Sequence, residues 1–167
     1  VNYPGGSRLN RTIGMIITAM LSAKSGYKVG YQFDPYRIIL DAPTRTTVKD
    51  MLAIMKGFER GIAGLLRFSM RDSPALKSQL LHAARKMGAI GPEADVSRFG
   101  MRRLIEAYSD TPLYTEAIER FLFHQLDEEG MEEFIEKINS GQVSVVLSPK
   151  TPHGYAGLDP YRDYLKP

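Results

Sequence analysis

Cysteine is absent from the 167 residues, so no disulfide framework, thiolate nucleophile or Cys-ligated zinc is available, which fits a reducing cytoplasm. Long apolar runs are absent too. The most hydrophobic stretch near the start, Ile13 to Leu21, is broken by Thr18 and lacks a small-residue cleavage site. It reads as a core helix rather than a signal peptide, and nothing approaches the roughly 20 apolar residues that span a bilayer. No G-x-x-x-x-G-K-[ST] loop occurs, since Gly5-Gly6 is followed by Ser7-Arg8, so the chain has no phosphate cradle for ATP and no cofactor of its own is expected. His82, His124 and His153 are too far apart for a local metal motif, and no metal site is expected. A nucleophile elbow is also missing, and the carboxylates after Glu116 have helical surface spacing, so no catalytic residue is assigned. The first residue is Val1 rather than methionine. The expectation is a piece of a longer protein, whose function belongs to the whole.

What is present suits one ordinary domain: 43% hydrophobic and 25% charged residues, enough apolar material for one core. The net charge of +3 hides an uneven distribution. Residues 1–110 carry 17 Lys/Arg against 9 Asp/Glu, and residues 111–167 carry 5 against 10. A basic front and an acidic back make the front the candidate for phosphate contact.

Apolar residues at Leu9, Ile13, Ile16, Ile17, Met20 and Leu21 have helical spacing over Arg8–Lys24, with Ser7 or Asn10 as cap and Gly26 as stop. Two β-branched and aromatic runs within 28–41, joined by Asp34-Pro35, predict a hairpin. Thr46 or Thr47 caps a further helix through Val48, Leu52 and Met55, and Gly57, Gly61 and Gly64 kink or divide the segment that continues to Arg71. Ser73-Pro74 opens a helix with Leu76, Leu80, Ala84 and Met87 inward. Another runs from Ser97 to Tyr108, and Thr111-Pro112 opens the next. Asp127 reads as an N-cap rather than as part of a nucleotide-driven motor, with Glu128 and Glu129 where the helix dipole favours negative charge. Gln142–Leu147 reads as a strand. The fold class is therefore α+β: mostly helical with a small antiparallel sheet or partial barrel, the hairpin 28–41 plus strand 142–147. Residues 1–150 form the domain and 151–167 a C-terminal tail or linker.

The basic residues carry the functional reading. Arg8 and Arg11 flank Asn10 on the first helix, and Arg37 lies in the hairpin. Lys77, Arg85 and Lys86 decorate the helix after Pro74, and Arg98, Arg102 and Arg103 the one after Ser97. Arg98 and Arg102, four apart, share a face suited to successive phosphates. Tyr27, Tyr31, Phe33 and Tyr36 could stack bases where exposed, although strand aromatics are more often core.

Four stretches, in order, resemble one family. Tyr3-Pro-Gly-Gly-Ser-Arg-Leu-Asn-Arg-Thr-Ile-Gly14 is similar to a glycine-containing "N-R-T-L-G" entry segment, and Asp34-Pro-Tyr-Arg-Ile-Ile-Leu40 to a "D-P-Y-R-I" hairpin. Asp110-Thr-Pro-Leu-Tyr-Thr-Glu-Ala117 resembles "D-T-P-V-Y-x-E-A", and Leu126-Asp127 with Ile138-Asn-Ser-Gly-Gln-Val143 resembles its ending. The resemblance is to the DEAD/H-associated accessory domain of Lhr-type, large helicase-related superfamily 2 helicases. It implies a parent that hydrolyses ATP with Mg²⁺ in two RecA-like motor domains, with a winged helix and then this domain after them. It implies as partners a single nucleic-acid strand and those motor and winged-helix domains, with no membrane. Arg8, Asn10, Arg11, Arg37, Lys77, Arg85, Lys86, Arg98, Arg102 and Arg103 are the implied nucleic-acid contacts. The alternative is a structural or protein-interaction module docking the motor domains or another partner.

Overall fold

The computed structural model describes residues 1–41, 47–56, 62–70, 73–91, 93–94 and 101–146. Helix α1, Gly6–Ser25, carries the largest share of the core, with Leu9, Ile13, Ile16, Ile17 and Leu21 all buried. Neither Ser7 nor Asn10 caps it. Gly5 is the N-cap with no side-chain bond, and the Gly6 N–H donates instead to Pro35 O at 3.0 Å. The hairpin turn thus satisfies one of the orphan amides at the start of the helix. At the other end Gly26 adopts φ 73° and its N–H donates to Ser22 O, the left-handed stop that glycine allows.

Strands β1 (Gly30–Asp34) and β2 (Arg37–Asp41) pair antiparallel, from Gly30 opposite Asp41 to Asp34 opposite Arg37. Asp34 Oδ1 builds the turn by accepting from the N–H groups of Tyr36 (2.8 Å) and Arg37 (3.1 Å). The outer side of β2 is covered by the start of the chain. Val1 and Ile38 exchange main-chain hydrogen bonds, Tyr3 N–H donates to Tyr36 O, and Asn2 bridges Arg37. Helix α1 crosses this sheet at Gly14. A Cβ there would lie 2.5 Å from the Tyr31 ring and 3.2 Å from Ile38 Cγ2, so the close approach needs glycine.

The third strand expected over Gln142–Leu147 does not form. Residues 142–146 make no ladder, Val145 and Val146 are exposed, and the Val143 N–H folds back to Lys137 O; Leu147 lies outside the described residues. The β-branched composition is right for a strand, but the β2 edge it could have used is occupied by Val1–Tyr3. The sheet among the described residues is therefore the hairpin and this short N-terminal addition.

The remaining helices obey local signals closely. Helices α2 (Val48–Lys56) and α3 (Ile62–Met70) lie on either side of residues 57–61, so the break expected at Gly57 and Gly61 falls outside the described residues, and Gly64 lies within α3. Thr47 and Asp50 cap α2 reciprocally, Thr47 N–H to Asp50 Oδ2 at 2.9 Å and Asp50 N–H to Thr47 Oγ1 at 3.3 Å. Ser73 caps α4 (Pro74–Lys86), and Thr111 caps α6 (Pro112–Gln125). Between them lies α5 (Met101–Tyr108), and α7 (Glu128–Asn139) starts at Asp127, whose Oδ1 accepts from the Gly130 N–H at 3.0 Å. Hairpin, α2, α3 and α7 gather round α1, whereas α4 and α5 pack on α6. Leu76, Leu80 and Ala84 of α4 are fully buried, as are Ala117 and Phe121 of α6. The spacing puts Met87 in that stripe, yet it is 61% exposed. The helix ends at Lys86 and Gly88 turns the chain with φ 72°, so the next periodic position falls beyond the buried face.

Candidate nucleic-acid interface

The basic residues separate into two populations. Arg8, Asn10 and Arg37, on α1 and the hairpin, are hydrogen-bonded to other parts of the chain, and Arg11 lies against an aromatic ring. Arg8 donates through Nε to Leu126 O (3.0 Å) and through its second terminal nitrogen to Phe123 O (2.9 Å). It thereby closes the carbonyl end of α6, where the helix dipole favours a cation. Asn10 is fully buried and not a surface residue; its Nδ2 donates to Tyr3 O (2.9 Å) and Asp34 O (2.8 Å). One turn on, Thr12 Oγ1 donates to Arg8 O and accepts the Asp127 N–H, so α1 also holds the start of α7.

Arg37 pairs through Nε with Asp34 Oδ2 at 2.6 Å and leaves only 14% of its side chain exposed. Burial pushes the Asp34 carboxyl up, but the Tyr36 N–H together with the hydrogen bonds and charge of Arg37 outweighs it and holds that carboxyl below its ordinary value. Arg11 is half-buried, its guanidinium 4.8 Å from the centre of the Phe33 ring. Burial raises the Tyr31 phenol above its ordinary value, with the nearby Arg11 charge acting in the opposite direction. Of the four aromatic candidates, Tyr31 and Phe33 are half-buried and stacked on each other, while Tyr27 and Tyr36 are 67% and 62% exposed.

The second population is free. The side chains of Lys77, Arg85, Lys86 and Arg103 have no hydrogen-bond or ion-pair partner among the described residues, and the last three residues are exposed. On α4, His82, Arg85 and Lys86 fall at i, i+3 and i+4 and so share one outer face. Buried Leu76, Leu80 and Ala84 hold the opposite face on α6. His82 belongs to this stripe although by sequence it is only a polar helix-face residue; its spacing to Arg85 was the available signal. Helix α5, which bears Arg103, is joined to the end of α4 by Tyr108 OH donating to Ala89 O at 3.5 Å. Arg98 and the Arg102 side chain lie outside the described residues. Elsewhere the exposed cations Lys24, Arg67 and Arg120 are paired with Asp50, Glu119 and Glu116.

The described residues hold no group of three or more metal-capable side chains and no helix long and apolar enough to cross a membrane. No curated protein and no solved structure matches the chain. A family described as DEAD/H associated matches residues 1–153. That match covers nearly the whole sequence, including the entry segment, the hairpin and the α6–α7 junction, and the chain belongs to the DEAD/H-associated family.

Proposed function

We propose that this domain serves a helicase by laying a single nucleic-acid strand across the outer face of α4 and onto α5. Membership of the DEAD/H-associated family gives the accessory role of a helicase. The strand path rests on one observation: among the described residues the side chains of Lys77, Arg85, Lys86 and Arg103 on α4 and α5 have no partner, whereas Arg8 and Arg37 are hydrogen-bonded within the chain. Phosphate contacts position a strand without reading its bases, so Lys77, Arg85, Lys86 and Arg103, with Arg98 and Arg102, would grip any sequence. Arg8, Asn10 and Arg37 would instead support the scaffold, and Arg11 stands apart from the strand path against Phe33. In this reading the parent is an Lhr-type helicase whose RecA-like motors use ATP and Mg²⁺, and this chain brings no motor of its own.

Charge reversal tests the path. Arg85→Glu, Lys86→Glu and Arg103→Glu should each flatten the salt dependence of single-strand binding by about 0.7 units of log K per log salt, equally for all sequences. Arg120→Glu and Lys137→Glu, which break pairs with Glu116 and Glu133, should do much less. Equal losses from both sets would mean a diffuse charge effect and refute the path. Unchanged binding by the complete helicase would favour the other reading, in which the basic face docks on a protein partner.

A further inference from the structure

The outer edge of β1 is left unpaired by the way the hairpin is built. Ile38 exchanges main-chain hydrogen bonds with Val1 and so turns its N–H and C=O away from β1. Groups alternate in an antiparallel ladder, so the residue opposite Ile38 is turned outward as well. That residue is Phe33, and Tyr31, opposite Leu40, obeys the same alternation. Two N–H and two C=O groups therefore face away from β2, with no further strand beside them among the described residues.

A cation stands at the same place. Arg11 lies over the Phe33 ring, and its N–H groups have no acceptor among the described residues. The ring holds the guanidinium in place by cation–π attraction while its N–H groups remain available for a bidentate carboxylate. Lys28, exposed and with no side-chain partner among the described residues, lies two residues before β1 and adds positive charge at that end of the strand.

We infer that the outer edge of β1 receives an extended peptide segment, with an acidic side chain directly opposite Phe33 meeting Arg11. Cross-strand neighbours share a face of the sheet, and the Phe33 face is the α1 face from which Arg11 reaches. A strand supplies alternating donors and acceptors at the spacing β1 presents. A nucleic-acid backbone offers phosphate acceptors but no N–H donors for the two carbonyls. This surface is separate from the α4–α5 face, so peptide binding here and strand binding there stand or fall independently.

The probe is the peptide Ac-Thr-Val-Glu-Val-Thr-amide added to the purified chain, with amide hydrogen exchange monitored residue by residue by NMR. Saturating peptide should slow exchange at Tyr31 and Phe33 and leave Gln32, already laddered to Ile39, unchanged. Replacing the peptide's Glu with Gln should weaken binding about fivefold, as expected for a lost charge-assisted bond. Methylating the nitrogen of that Glu should abolish protection at Phe33. The Arg11→Gln chain should bind the Glu and Gln peptides equally. The inference is overturned if Tyr31 and Phe33 gain no protection. It is equally overturned if the unmodified chain fails to discriminate the two peptides, or if oligothymidylate protects these amides better than peptide does.

Discussion

Asn10→Ala decides between two roles for the Asn-Arg-Thr segment, surface contact or internal pin. Its Nδ2 is the donor that the structure shows for both Tyr3 O and Asp34 O from a side chain. Truncation forfeits both bonds, each contributing about 1–1.5 kcal/mol net. Two effects work the other way. Alanine is a better helix former than asparagine by about 0.5 kcal/mol in mid-helix. The truncation also removes Oδ1, a buried acceptor with no partner, whose presence has a desolvation cost of its own. The balance is a loss of about 1–2 kcal/mol, or roughly 2–8 °C in the melting midpoint of a domain this size. Circular dichroism melts of the two proteins measure it directly. Single-strand affinity, taken well below both midpoints, should be unchanged. A variant that melts like the parent but binds nucleic acid more weakly would refute the internal role and return Asn10 to the surface.

The same geometry makes other outcomes testable. Arg8→Met should cost about 1–2 kcal/mol through the lost carbonyl bonds at the end of α6, seen in urea titration, without altering the salt slope of strand binding. Asp127→Ala should cost about 0.5–2 kcal/mol as a lost cap, and an unchanged melt would count against it. The Asp34 and Asp50 carboxyls are both held below their ordinary values, Asp34 by its turn amides and Arg37 against the pull of burial, Asp50 by Lys24 and then Thr47. Depressed folded-state values make their contribution fully present above the unfolded value and lost as pH falls through the folded ones. Stability should therefore decline as pH drops below about 4, and Asp34→Asn with Asp50→Asn should flatten that decline in pH-stepped melts. The purified chain should neither bind nor hydrolyse ATP, and turnover above a heat-treated control would contradict this.

What the sequence made legible was local. Ser73, Thr111 and Asp127 announce their helices because a cap and its amide lie two or three residues apart. The hairpin was readable because Asp34, Pro35 and the next strand are contiguous. Arg8 and Asn10 looked like surface contacts because nothing nearby shows that they have partners 118 and 24 residues away. Val143, Val145 and Val146 have strand composition, but a strand exists only with a neighbour, and composition does not report one. The α4 stripe was visible as charge, whereas the lack of side-chain partners among the described residues, which distinguishes it from Arg8, emerged only in three dimensions.

The Arg8 and Thr12 bonds join the first helix to a junction more than a hundred residues later. Helix α6 therefore lacks closure of its last carbonyls until α1 docks, and the Asp127 amide that begins α7 waits for the same event. Closing so long a loop is slow because its entropy is lost before the contacts form. The α6–α7 hairpin made as a separate fragment should be frayed at its centre, and a second fragment carrying α1 should rescue it. A protease nick between α3 and α4 would for the same reason leave two pieces still bound to each other, released only on denaturation.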